Sequence, residues 1–284
     1  MRLRSLLFVP GDRPDRMEKA LASGADAVIL DLEDAVAPAA KPDARRCVRE
    51  FLERADRTLG LYVRVNPLDS GLVDSDLAAV VPARPSGYLL PKSVDGDSVR
   101  DLAARLDALG DGDGKILPIA SETPAAVFGL GRYAGSSDRL IGLSWGAEDL
   151  PAAIGAISAR EADGRYTPVY DVVRTLALMG AHAAGVLAID TIYPAFRDQE
   201  GLARYAARAR RDGFTGMLAI HPAQIAPINA AFTPSEAEIA HARAVIAAFA
   251  TGGGAGAIAL DGKMLDAPHL RAAERILAQN RSGR

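Results

Sequence analysis

With 284 residues, 49% hydrophobic and 24% charged, the chain is long enough for one large domain with a sizeable core, and its composition gives no sign of extended disorder. A net charge of −3 argues against a general nucleic-acid surface, so any bound anion must be met by a local cluster of cations. The basic start MRLRSLLFVPG is cut by Pro10 and Gly11 far short of a signal-peptide core, and no later run approaches a membrane span; a cytoplasmic location is expected. Cys47 is the single cysteine and cannot form an internal disulfide; it is expected as a small core-facing helix residue. His182, His221, His241 and His269 show no zinc-ligand spacing.

Short apolar, β-branched runs alternate with helical patterns along the chain, the signature of parallel βα units. Strands are predicted over 3–9, 26–32, 59–65, 87–91, 115–121, 139–145, 185–190 and 216–220. Between them, apolar residues at helical spacing predict helices over 14–23, 41–55, 73–81, 97–109, 124–133, 148–155 with 169–184, 197–213 and 222–232. Strands that read as continuous apolar runs need both faces covered, so an α/β fold closed as a (β/α)₈ TIM barrel over residues 1–232 fits best. An open doubly wound sheet is the alternative, but it calls for a Gly-rich dinucleotide fingerprint after the first strand, and none is present. Residues 233–284 form a C-terminal helical extension: a helix opened by Pro234 and Ser235, a hinge at Gly252 to Gly256, a short extended piece with a turn, and a last helix. Such a segment serves either as plain packing or as a lid over an active site.

The stretch Gly142-Leu-Ser-Trp-Gly-Ala-Glu-Asp-Leu150 organises the rest. A strand runs into a turn of small residues, and Glu148 and Asp149 open the next helix. Small residues let backbone N–H groups approach a ligand, a helix start favours an anion, and Asp149 offers hard oxygen for Mg²⁺. Taken alone, a helix that merely prefers acids at its start explains the stretch equally well. The balance is tipped by the other strand ends, because a barrel does its chemistry at its C-terminal rim. Those ends carry Asp12 and Arg13, Asp31 to Asp34, Arg64 to Pro67, Lys92, Ser121 to Thr123, Asp190 and Thr191, and His221.

Glu122 and Asp149 end adjacent strands and are the candidate metal ligands, leaving roughly four of six octahedral Mg²⁺ positions open. Open coordination suits an α-keto acid that chelates through its carboxylate and carbonyl oxygens. Arg64 is the candidate fork for a substrate carboxylate or a developing enolate, with a structural salt bridge to Glu33 or Asp34 as a compatible alternative. Glu33 and Asp34 are too many acids for one metal, so at least one is expected to orient Arg64 or Lys92; Glu33 is kept as a catalytic candidate and Asp34 as a substrate-side one. Arg13, Arg16 and Lys19 cluster at the first loop and helix, where they could grip a polyanion such as the phosphates of coenzyme A; Arg16 ranks last.

The segments SLLFVPGDRPDRMEKALASGADAVILDLEDAVAP, VRVNP, LPK, SETPAAV, GAEDL, IDTIYPAFRD, GFTGMLAIHPAQI and DGKMLDAPHL cover nearly the whole chain. Through them the chain resembles the citrate lyase β-subunit-like family within the HpcH/HpaI aldolases and malyl-CoA or citramalyl-CoA lyases. The resemblance implies Mg²⁺ on Glu122 and Asp149. It implies substrate carboxylate on Arg64 and around Gly146, Ala147 and Glu148, and coenzyme A near Phe8, Arg13 and Lys19. It also implies that Asp266, in MLDAPH, is the acid/base for the acetyl methyl proton, delivered by a neighbouring subunit in a homotrimer or larger assembly. The implied activity is reversible cleavage of a citryl-CoA, malyl-CoA or citramalyl-CoA type thioester into acetyl-CoA and oxaloacetate, glyoxylate or pyruvate. A thioesterase, a CoA-independent pyruvate aldolase, or a β subunit dependent on α and acyl carrier subunits are the alternatives. Ser121 departs from the aliphatic residue more usual before the metal-binding glutamate.

Overall fold

The computed structural model describes residues 2–251 and 256–281. In chain order the elements are β1 (Ser5–Pro10), α1 (Pro14–Leu21), β2 (Ala27–Asp31), α2 (Lys41–Arg54), β3 (Gly60–Arg64), α3 (Val73–Val80), β4 (Gly87–Leu90), α4 (Gly96–Ala108) and β5 (Lys115–Pro118). They continue with α5 (Pro124–Gly129), β6 (Gly142–Ser144), α6 (Asp149–Ile154), α7 (Pro168–Ala184), β7 (Leu187–Asp190), α8 (Gln199–Asp212), β8 (Gly216–Ala219) and α9 (Ile225–Ala231). The last four are α10 (Glu236–Thr251), β9 (Ala257–Leu260), β10 (Lys263–Asp266) and α11 (Ala267–Arg281).

All eight sequence-predicted strands form, and they pair in parallel in the order β5-β4-β3-β2-β1-β8-β7-β6. The remaining seam, β5 to β6, is closed by isolated bridges at Ile116–Leu140 and Ile119–Ser144 rather than by a continuous ladder. The result is an eight-stranded, nearly closed α/β barrel of the TIM type. Its interior is filled by alternate strand residues, among them Leu6, Ile29, Tyr62, Leu89, Leu117, Ile189 and Leu218, each almost fully buried. Burying an aliphatic side chain of this size contributes about 1.5–3 kcal/mol, which explains why the strands read as apolar runs.

The chain divides into two compact units, Leu3–Asn229 and Ala230–Arg284 with the first two residues, so the division falls inside α9. In the second unit α10 and α11 enclose a small core of Ala242, Val245, Leu265 and Ala273. The extended piece expected there is an antiparallel hairpin, β9 with β10, in which Leu260 pairs with Lys263. Asp261 and Gly262 make its turn with φ of 52° and 75°, the backbone that an Asp-Gly pair adopts most readily in a two-residue loop. Most of the expected glycine hinge, 252–255, lies outside the described residues. Among the described residues no helix is long and apolar enough to cross a membrane. Cys47 lies on α2 and is free and half-buried, so it faces the core only in part.

Candidate active site

The rim residues are set in place by local structure at each strand end. After β5, Thr123 caps α5 by accepting the Ala126 N–H at 3.2 Å, with Pro124 in the first turn, and this holds Glu122 at the strand end. After β6, the chain passes Trp145 and Gly146 and enters α6 with Asp149 in its first turn; Gly155 ends that helix in the left-handed conformation. Gly146 is required by close approach, since a Cβ there would stand 2.5 Å from Glu122 Cγ. Ser121 ties the two strand ends together, its Oγ accepting the Gly146 N–H at 3.2 Å.

These ends surround a cavity of about 330 Å³ lined by Phe8, Pro10, Arg16, Asp31, Asp34, Ala35, Arg64, Ile119, Glu122, Trp145, Gly146, Ala147, Glu148, Asp149, Thr191, Ile192, Leu218 and Ile220. It is within the size range of small-molecule sites and has the usual make-up, an apolar body with convergent polar groups. Glu122 is 3% exposed. Its Oε2 accepts the backbone N–H of Lys92 at 2.5 Å, and among the described residues no hydrogen-bond donor reaches its Oε1. Burial pushes the Glu122 carboxyl up to about 8; the Lys92 N–H opposes this, and the nearby charges of Asp149 and Glu33 add to it.

Lys92 has φ of 51°, a left-handed backbone that costs a non-glycine residue roughly 1–2 kcal/mol. That turn aims both its N–H and its side chain at the acids. Its Nζ stands 2.9 Å from Glu33 Oε1, 3.6 Å from Asp149 Oδ1 and 3.9 Å from Asp34 Oδ2. The ammonium thus marks a point on which acids from different strand ends converge. Desolvation works against this cation, but the hydrogen bond and charge of Glu33, with Asp34 and Asp149 behind it, raise its proton affinity above the ordinary lysine value.

Arg64 is engaged more heavily than its strand position suggests. Its Nε and Nη2 form a fork on Asp31, at 2.7 and 2.5 Å, and its Nη1 stands 2.7 Å from Glu33 Oε2 without hydrogen-bond geometry. The guanidinium also lies 4.8 Å over the Phe8 ring. The partners are therefore Asp31 and Glu33; Asp34 faces the cavity with a half-exposed carboxylate and meets Lys92 instead. Glu33 contacts both cations and is itself only 3% exposed; burial raises its carboxyl above the usual range, with Arg64 opposing. Behind it, the buried Lys41 of α2 donates to the Leu32 and Glu33 carbonyls and to Asn66, locking the ends of β2 and β3 to each other.

The structure thus brings together Glu122, Asp149, Arg64, Glu33, Asp34, Gly146, Ala147 and Glu148. Phe8 joins them through the Arg64 ring contact. Of the three cations near α1, only Arg16, ranked last from sequence, lines the cavity. Arg13 is exposed and paired with Asp15 at 3.2 Å, and Lys19 is an exposed helix residue. Asp266 ends β10 in the other unit, where His269 Nδ1 stands 2.6 Å from its Oδ1. Sequence reasoning missed His269 as its partner, although a spacing of three across a helix start was a usable signal. It also missed Arg174, a charge on the otherwise buried face of α7.

Fold and rim define a (β/α)₈-barrel protein with a two-carboxylate site on neighbouring strand ends. The chain belongs to the HpcH/HpaI aldolase/citrate lyase family, whose profile matches residues 4–222. It is 38% identical to a citrate lyase subunit beta-like protein of Mycobacterium tuberculosis, over 95% of this chain and 93% of that one. It is 36% identical to a (3S)-malyl-CoA thioesterase of Cereibacter sphaeroides, over 97% and 94%. Among solved structures, CitE of M. tuberculosis in complex with magnesium, acetoacetate and coenzyme A superposes with a TM-score of 0.83 at 36% identity, covering 97% of both chains. The M. tuberculosis citrate lyase beta subunit complexed with oxaloacetate and magnesium gives 0.71 at 37% identity, over 81% of this chain and 96% of that one.

Proposed function

We propose that the protein is a Mg²⁺-dependent carbon–carbon lyase that reversibly cleaves a citryl-CoA, malyl-CoA or citramalyl-CoA type thioester into acetyl-CoA and an α-keto acid. The observation that carries this reading is the rim pair: a buried Glu122 with one oxygen lacking any donor, beside Asp149 on the adjoining strand end. That oxygen is not sealed inside the fold but belongs to a cavity-lining residue, and hard oxygen donors in a small cavity fit Mg²⁺. The magnesium in the M. tuberculosis relatives supports the choice of ion.

Glu122 and Asp149 would hold the ion, which when bound supplies Lewis-acid polarisation of the substrate oxygen. Asp31 and Glu33 keep the Arg64 guanidinium fixed at the cavity wall, where its charge offsets the negative charge that grows on that oxygen. As the carbon–carbon bond breaks, the substrate hydroxyl gives up its proton, for which Glu33 is the proposed acceptor, and the acetyl carbon takes one from Asp266. Asp266 is proposed to come from a neighbouring copy in a homotrimer, with His269 holding its carboxylate. Backbone amides around Gly146 to Glu148 are proposed to seat the keto-acid carboxylate, and Phe8, Arg13 and Lys19, joined by Arg16, the coenzyme A.

A second reading, hydrolysis of malyl-CoA to malate and free coenzyme A, is favoured by the similarity to thioesterases of C. sphaeroides. The test is an assay of purified protein on the three thioesters with and without EDTA. Acetyl-CoA plus a keto acid, lost with EDTA, supports the lyase; a hydroxy acid plus free coenzyme A supports the thioesterase. Turnover only after α and acyl carrier subunits are added would make the chain a dependent β subunit.

A further inference from the structure

The geometry points to Asp190 as a positioning residue that holds the Trp145 indole in place as a wall of the rim cavity and so governs affinity for the keto acid. This rests on the functional reading above. Trp145 follows β6, lines the cavity, and is fully buried. A buried indole N–H must find an acceptor, and here it donates to Asp190 Oδ1 at 2.6 Å. The same oxygen accepts the Tyr205 hydroxyl at 3.0 Å and the Thr191 N–H at 2.9 Å, and Thr191 is itself a cavity residue.

The carboxylate is anchored from behind. Arg174 of α7 donates to Oδ2 through Nε and Nη2 at 3.0 and 2.8 Å, and its Nη1 reaches Asp212 at 2.8 Å. The guanidinium lies 4.6 Å over the Phe214 ring, which blocks its retreat. On its other side the indole meets the Tyr166 ring edge-on at 5.1 Å. Burying an ion pair is expensive, and an apolar cluster fills space at less cost; what the pair supplies is orientation, one fixed acceptor for one indole N–H. The metal-side acids have separate tethers, Glu122 on the Lys92 N–H and Asp149 in the first turn of α6, so the wall and the ion site come apart experimentally.

Trp145 is the only tryptophan of the chain, so its fluorescence reports this contact directly. The experiment uses the whole chain with D190N, which keeps the shape of the side chain and removes its charge, and with W145F, which keeps an aromatic ring and removes the N–H. Circular dichroism checks folding. Mg²⁺ alone is titrated first; pyruvate, glyoxylate and oxaloacetate are then titrated separately in saturating Mg²⁺ by calorimetry. The expected result is a shifted Trp145 emission maximum in D190N and keto-acid dissociation constants raised about tenfold in both variants, with Mg²⁺ affinity within about twofold of wild type. If D190N does not fold, W145F decides alone. Wild-type keto-acid affinity in a folded variant, or Mg²⁺ affinity falling in step with keto-acid affinity, overturns the positioning role and leaves the lyase reading standing. A wild-type protein that binds Mg²⁺ but none of the three acids overturns both.

Discussion

Two buried carboxylates at strand ends either side of β6 differ in how they are satisfied. Asp190 accepts from Trp145, Tyr205, Thr191 and twice from Arg174, so its charge is matched within the fold. Glu122, nearly as buried but lining the cavity, accepts one backbone N–H and shares its surroundings with Asp149 and Glu33. Burial is answered by five hydrogen bonds at Asp190 and by one at Glu122. A saturated acid is architecture, and an under-satisfied one that lines a cavity is where a ligand from outside is expected. The sheet shows the same asymmetry, because Glu122 and Asp149 flank the one seam held by isolated bridges in place of a continuous ladder.

The comparison is sharpened most by removing each acid. In E122Q or D149N, kcat/KM for the cleaved thioester is expected to fall on the order of 10³-fold, measured as acetyl-CoA release, while metal-free E122Q melts no lower than wild type. D190A should do the reverse to stability: stranding Arg174 costs about 3–5 kcal/mol in denaturant unfolding. A pH series on metal-free protein isolates Glu122. Glu122 holds its proton up to about 8 when folded, against an ordinary value of 4.5, so between those limits the unfolded chain has already released a proton that the native state retains. Stability should therefore fall as pH rises through that window, by on the order of a few kcal/mol at most, and E122Q should abolish the slope. R64K keeps the charge but loses the fork on Asp31, and kcat/KM should drop roughly 10²-fold. Smallest is S121A, which frees the Gly146 N–H: about 1 kcal/mol in stability and less than about tenfold in keto-acid affinity. A larger effect of S121A on Mg²⁺ than on the keto acid would show that the β5–β6 tie serves the ion site.

Much of the barrel was legible because its physics is local. Runs such as 26–32 and 216–220 are apolar on both faces, and a strand covered on both sides has no other reading once eight recur between helices. The strand ends located Glu122, Asp149, Arg64 and Glu33, since polar residues there belong to the rim. What stayed hidden depends on side-chain direction. Asp31 stands in register with Arg64 across the β2–β3 ladder, and that pairing, which puts the Arg64 fork on Asp31, follows only from strand order. Asp190 looked like another rim acid until Arg174 was placed behind it. Periodicity did hold a signal: on α7, Arg174 falls among Tyr170, Val173, Ala177, Leu178 and Ala181, all buried, and a cation on that face demands a buried partner. No pattern announces the left-handed Lys92. Clustering alone does not rank the α1 cations: all three are exposed, and the cavity takes Arg16, one turn along from Arg13 and Lys19.

The central claim is that Glu122 and Asp149 jointly hold one divalent cation, and calorimetric titration of Mg²⁺ into wild type, E122Q and D149N tests it most directly. The account predicts one ion per chain in wild type, with protons released on binding at pH 7, and no measurable binding in either variant. Undiminished Mg²⁺ affinity in E122Q or in D149N would contradict it.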